Sequence, residues 1–230
     1  MEATVNTTAA STVNNVNNEN RPALYHYTAG WEKIAAILAS EVISKEFKMY
    51  EEQVTAAWLS SNPVWENTVM KVKGGLEAHA DKLGAFRIKV KNHLPILNWH
   101  NFVKFSGENE KICRSMETVG LEQGANPDEW YCSLYHIPVS ENTVESIGIY
   151  CNGKWEDMSI SDFQEKFAAE LDKVKIEFIT QDKVGKLLKK GLYLSPVLED
   201  ELKRIIETGK SESFALAVIG NMIHCIPANN

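Results

Sequence analysis

The chain has no CxxC pair, no run of about eighteen apolar residues and no surplus of basic side chains. Its four cysteines, Cys113, Cys132, Cys151 and Cys225, stand far apart. That spacing fits neither a zinc site nor the dense disulfide framework of a small secreted domain, and reduced thiols in a cytosol fit it best. Without a long apolar run there is no transmembrane-helix candidate. The formal net charge of -7 opposes an extended nucleic-acid surface, which needs clustered Lys and Arg, while leaving room for a local basic groove. GxGxxG, Walker A, HExxH and GxSxG motifs are missing too, and with them the usual sequence support for several large enzyme classes.

What is present is ordinary globular composition, 44% hydrophobic and 24% charged over 230 residues, enough for one substantial core. Residues 1–20, rich in Asn, Thr, Ala and Ser with isolated Val, carry too little apolar area to offset chain entropy. They are expected to form a disordered polar leader, and lacking a basic start and an apolar stretch they do not read as a secretory signal. A single α+β domain is expected over 21–230, with 182–230 as a helical appendage, in a cytoplasmic protein without membrane partners.

Leu24, Tyr25, His26, Tyr27 and Thr28 read as a β-prone strand, followed by a break at Ala29-Gly30. Trp31, Ile34, Ala35, Leu38 and Val42 then recur at helical spacing. A second strand over 56–60 stops at Ser61-Asn62-Pro63. A helix is expected over 64–72, a break at Gly74-Gly75, and an alternating strand over 85–90. Further strands are expected at 130–137, 144–150 and 176–179, and helices at 109–116, 161–171 and 198–207, the second of these capped by Ser159 or Ser161.

The chemistry-bearing residues gather near two segments, LYHYT and AAWLSSNPVWENT. A strand can present the His26 imidazole at an open sheet crevice, where a neutral ring could hydrogen-bond a ribose hydroxyl. Tyr25 and Tyr27 beside it offer flat surfaces, although strand alternation points them the other way. In NPDEWYCSLYHIP, Glu129 precedes an aromatic-rich strand, where its carboxylate could face a pocket at the strand edge. Arg87 could grip a diphosphate with its planar fork.

LYHYT and AAWLSS together resemble the ADP-ribosyltransferase-like superfamily, over about Leu24 to Ser60, with the remainder matching by strand order only. The resemblance implies a split, mixed β-sheet with flanking helices that clasps NAD as a substrate. It further implies that His26 contacts the adenosine ribose, with Tyr27, Thr28, Ser60 and Arg87 as further cofactor contacts. A later acid would orient the nicotinamide ribose and stabilise positive charge at the anomeric carbon as nicotinamide leaves. Glu129 is the first choice for that acid and Glu66 the second, with Glu145 competing, because the terminal acidic motif of the family is not identifiable here. The implied activity is transfer of ADP-ribose to a protein or nucleic-acid acceptor.

Two other classes fit the same residues: a catalytically inactive module binding a nucleotide or protein, and an RNA phosphotransferase. Each site residue also has a plain structural use. His26 reads equally as a hydrogen-bonded strand residue, Ser60 as a turn residue, Glu66 and Glu129 as solvated acids and Arg87 as an ion-pair partner. Trp58, Trp65, Trp99 and Trp130 read as core or pocket wall. Cys132 and His136, evenly spaced on one expected strand, lack a third ligand at motif spacing.

Overall fold

The computed structural model describes residues 21–45, 54–69 and 73–174 in full, and the backbone of 176–178, 214–219 and 222–227. Strand β1 (Leu24–Ala29) leads into helix α1 (Trp31–Ser40), the short β2 (Val42–Ile43) and β3 (Ala57–Ser60). Helix α2 (Gly75–Leu83), β4 (Ala85–Val90), β5 (Leu97–Asn98), α3 (Trp99–Phe105) and α4 (Glu110–Glu122) follow. The order then runs β6 (Trp130–Ser133), β7 (Ile137–Pro138), β8 (Val144–Cys151), β9 (Lys154–Met158), α5 (Ile160–Lys166) and α6 (Ala168–Leu171).

One seven-stranded sheet, ordered β5-β6-β3-β1-β4-β8-β9, carries the fold, and helices flank it. Its pairings are antiparallel throughout, so the parallel component of the expected mixed sheet is not found. The two neighbours of β1 hold it very differently. Against β4 it is in register over its whole length, from Leu24↔Val90 to Ala29↔Ala85. Against β3 the only registered pair is Tyr25↔Ser60, which nearly parts the sheet into two leaves.

Alternation along the strands sorts the side chains into separate cores. Leu24, Phe86, Ile88 and Val90 pack with Ile34 and Leu38 of α1, Ile147 of β8 and Phe163 of α5. Phe86, Ile88 and Phe163 are fully buried, and each such side chain stabilises by about 1.5–3 kcal/mol. Tyr25, Tyr27 and Ala85 join Trp65 and Leu76 in a second core, against which Trp155 packs. Under the other leaf, Trp99 and Phe102 of α3, Cys113 of α4, Trp130 and Cys132 form a third.

Several expectations are corrected. The segment expected as a helix over 64–72 is a turn followed by one 3-10 turn, Asn67–Val69, with 70–72 outside the described residues. The Asn62 side chain takes the N–H groups of Val64 (2.9 Å) and Trp65 (3.3 Å), fixing a turn where a helix would have started. The Gly74-Gly75 break is real but opens α2 directly. The strand expected over 130–137 is interrupted: β6 ends at Ser133 and β7 leaves the main sheet to pair with β2. Within 182–230, expected as a helical appendage, the described residues are two strands, Phe214–Ile219 and Met222–Pro227, which form an antiparallel sheet with Ile176–Phe178. The expected leader at 1–20 and helix at 198–207 lie outside the described residues.

Gly148 on β8 sits where Arg87 and Asp157 meet. A Cβ there would lie 2.3 Å from Asp157 Oδ1 and 3.0 Å from Arg87 Cγ. Gly148→Ala is therefore expected to lower stability by about 1–3 kcal/mol through overpacking, read as a shifted urea midpoint. An unchanged midpoint would show that the ion pair relaxes freely.

Candidate functional site

The gap between β1 and β3 is bridged by a side chain. His26 Nδ1 lies 2.9 Å from the Trp58 carbonyl oxygen. A carbonyl can only accept, so Nδ1 carries the proton and donates, and the lone pair of the neutral ring is on Nε2. Burial lowers the pKa of this imidazole, outweighing the opposing pull of the Trp58 carbonyl, and the nearby Lys33 adds to the lowering.

His26 lies in the wall of a cavity of about 830 Å³, a volume within the usual range for small-molecule sites. Its walls come from β1 (Tyr25 to Thr28), α1 (Lys33, Ile37, Ser40), β3 (Trp58, Leu59, Ser60), the turn bearing Glu66 and Thr68, α4 and Trp130. Most of these groups are apolar or hydroxyl-bearing. Lys33 is the one basic side chain, and Glu66 the one acidic side chain, among the described lining residues.

Glu66 is 7% exposed, an uncommon depth for a carboxylate. Its Oε1 accepts from the Thr68 N–H at 3.3 Å and the Thr68 hydroxyl at 3.0 Å. Ser60 is buried, and its Oγ accepts from the Asn62 N–H at 3.2 Å. Tyr27 donates its phenol proton to the Asn62 carbonyl at 2.5 Å, and burial pushes its pKa well above the ordinary tyrosine value. Thr28 is buried at the same wall.

Of the residues singled out from the sequence, His26, Tyr27, Thr28, Ser60 and Glu66 meet at this cavity. Arg87 and Glu129 do not line it. Arg87 forks onto Asp157, with Nε at 2.9 Å from Oδ1 and Nη2 on Oδ2, while Nη1 donates to the Pro63 carbonyl at 2.7 Å. Its guanidinium is sandwiched between the Tyr25 ring at 4.8 Å and the Trp155 ring at 4.6 Å. Glu129 closes a 3-10 turn, where its Oε2 accepts from Asn62 Nδ2 at 3.0 Å and its carbonyl accepts from the Ser61 N–H at 2.8 Å. Glu145 is an exposed partner of Lys89 at 2.6 Å.

Cys132 and His136 are not on one strand. Cys132 is buried in the third core, whereas His136 Nδ1 accepts the Lys45 N–H at 3.1 Å. Among the described residues no group of three His, Cys, Asp or Glu could hold a metal ion, and no helix is long and apolar enough to cross a membrane.

Sequence reasoning missed the far wall. Ile112, Met116, Val119 and Gln123 of α4 and its following residue face the cavity at spacings of four, three and four, a helical stripe legible in the sequence. On the same helix, Gly120 lets the Trp130 ring approach so closely that a Cβ would lie 2.4 Å from it. Comparisons with protein families, with curated proteins and with solved structures found no match to this chain.

The part-buried imidazole has a consequence for stability. Its folded pKa lies below the unfolded value of about 6.5, so the unfolded chain takes up the proton first as pH falls. Stability present above that value is lost as pH drops through it, and His136, shifted the same way by burial, adds to the loss. Urea denaturation across a pH series is expected to show a shallower acid decline in His26→Gln, whose amide can still donate to Trp58. Identical slopes would mean that His26 titrates like an exposed histidine.

Proposed function

We propose that this protein is an NAD-consuming enzyme of the ADP-ribosyltransferase-like kind, with the cavity beside the β1/β3 gap as its NAD site. The observation that carries this reading is the neutral His26, fixed through Nδ1 to Trp58, beside a large cavity into which the buried acid Glu66 projects. His26 Nε2 accepts a ribose hydroxyl proton. Glu66 takes the acidic role in preference to Glu129, which is engaged by Asn62 outside the cavity wall.

In the proposed step the bond from the anomeric carbon to the nicotinamide nitrogen breaks, and its electron pair leaves with neutral nicotinamide. The Glu66 carboxylate stabilises the positive charge left on the ribose. An acceptor nucleophile, from a protein, a nucleic acid or water, then forms the new bond to that carbon and gives up its proton to solvent or to Glu66. The mostly apolar walls lower the local dielectric and so strengthen the interaction of carboxylate and cation.

The binding-module reading has one observation in its favour. A diphosphate would meet only Lys33 as a basic side chain among the described lining residues, because Arg87 is bonded elsewhere. The same shortage, with no arginine among the described lining residues, counts against an RNA phosphotransferase.

Proton NMR of the full chain with NAD tests these roles by following free nicotinamide. Glu66→Gln is expected to slow release by about 100-fold or more, and His26→Ala to weaken NAD binding by about tenfold. Glu129→Gln, whose amide oxygen still accepts from Asn62, should release nicotinamide much as the wild type does. NAD resonances that broaden without product identify a binding module, and neither broadening nor product overturns the NAD reading.

A further inference from the structure

The turn between β3 and Glu66 is held more firmly than a surface connection requires. Pro63 and Val64 are exposed, Val64 by 61%, and carbonyls in such a loop ordinarily bond to water. Here three successive carbonyls each accept from a side chain on a different strand. Tyr27 of β1 donates to Asn62 O at 2.5 Å, Arg87 of β4 to Pro63 O at 2.7 Å, and Trp155 Nε1 of β9 to Val64 O at 2.8 Å.

The donors are themselves immobilised. Arg87 is forked onto Asp157 and stacked between Tyr25 and Trp155. The Trp65 ring, next in the chain to Glu66, packs on Tyr27 at 5.2 Å and on Trp155 at 6.2 Å. Two of the three residues that hold the carbonyls therefore also hold the residue that delivers Glu66 to the cavity. From β6 and its preceding turn, Glu129 fastens Asn62 on the opposite side.

We propose that residues 61–66 form a three-point clamp that fixes the Glu66 carboxylate in the cavity, with Tyr27, Arg87 and Trp155 as its positioning residues. The role given to Glu66 rests on the enzymatic reading above; the clamp itself rests on the hydrogen bonds. Arg87 thereby acts on the site from outside the cavity wall, through the Pro63 carbonyl.

Trp155→Phe in the full chain removes one donor and keeps a ring, and Arg87→Met removes a second as a separate variant. Two readouts are taken: peptide-resolved amide hydrogen exchange over 61–69, and kcat and KM for nicotinamide release from NAD. Exchange at Val64 and Trp65, whose N–H groups bond to Asn62 Oδ1, is expected to rise about tenfold, with β1 and β4 unchanged. The expected kinetic signature is a kcat lowered about tenfold with KM for NAD nearly constant, because a displaced carboxylate costs the transition state more than binding. Unchanged exchange in Trp155→Phe overturns the clamp, and raised exchange with unchanged kcat overturns its positioning of Glu66. If the wild type releases no nicotinamide, the enzymatic reading fails on its own account and exchange alone judges the clamp. Arg87→Met keeps the test open if Trp155→Phe does not fold, since it unfastens the adjacent carbonyl.

Discussion

The hydrogen bond from His26 to the Trp58 carbonyl holds together a sheet that its own backbone leaves nearly parted. Between β1 and β3 the ladder offers one registered pair, Tyr25↔Ser60, where β1 and β4 share six. A gap in mid-sheet exposes backbone groups that cost free energy when buried without partners. The imidazole donates across this gap to the Trp58 carbonyl at 2.9 Å. An apolar side chain at position 26 would leave the Trp58 oxygen without this bond. One side chain therefore ties β1 to β3 at the wall of the cavity.

Much of the remaining arrangement follows from which face of the sheet each strand residue occupies. On β4, Phe86, Ile88 and Val90 pack toward α1, and Arg87 between them projects to the other side with Tyr25 and Trp155. The one arginine near the centre of the sheet is thus removed from the cavity. Its positive charge is compensated by Asp157, and its Nη1 donates to a loop carbonyl. An interior site for this fork is possible because Gly148 has no side chain to compete with it.

Strands β1 and β3, helix α1 and the β1 and β3 wall of the cavity were legible in the sequence, because short β-prone and amphipathic segments carry local signals. His26, Tyr27, Thr28, Ser60 and Glu66 all meet at one cavity. The candidates that lie away from this cavity, Arg87 and Glu129, are those whose position depends on strand order. Arg87 stands opposite Tyr27 across the β1/β4 ladder, a register that places it on the tyrosine side and not the histidine side. Nothing local reveals that β1 lies between β3 and β4, since those neighbours are separated from each other by a helix and a turn. The expected 64–72 helix failed for a related reason. The Asn62 side chain takes the N–H groups of Val64 and Trp65, and the Pro63 and Val64 carbonyls, at the start of such a helix, are taken by Arg87 and Trp155. Strand β9 was overlooked because KWEDM offers only Trp155 and Met158 as large apolar residues at the sheet edge.

A buried carboxylate in a mostly apolar wall gains electrostatic strength from the low local dielectric and loses tolerance for misplacement by the same cause. In water a displaced carboxylate is still screened and solvated; in a low-dielectric wall its interaction with a developing cation depends steeply on distance and competes with its own desolvation. Thr68 meets part of that desolvation by bonding one oxygen of Glu66 through both its N–H and its hydroxyl. The rest of the requirement is geometric. Electrostatic preorganisation demands that the charge be in place before the reaction begins, so the backbone leading to it must not relax toward solvent. A turn with exposed Pro63 and Val64 would relax if water held its carbonyls. In the proposed clamp it is held instead by three side chains rooted in three strands, one of them the β1 strand that also carries His26.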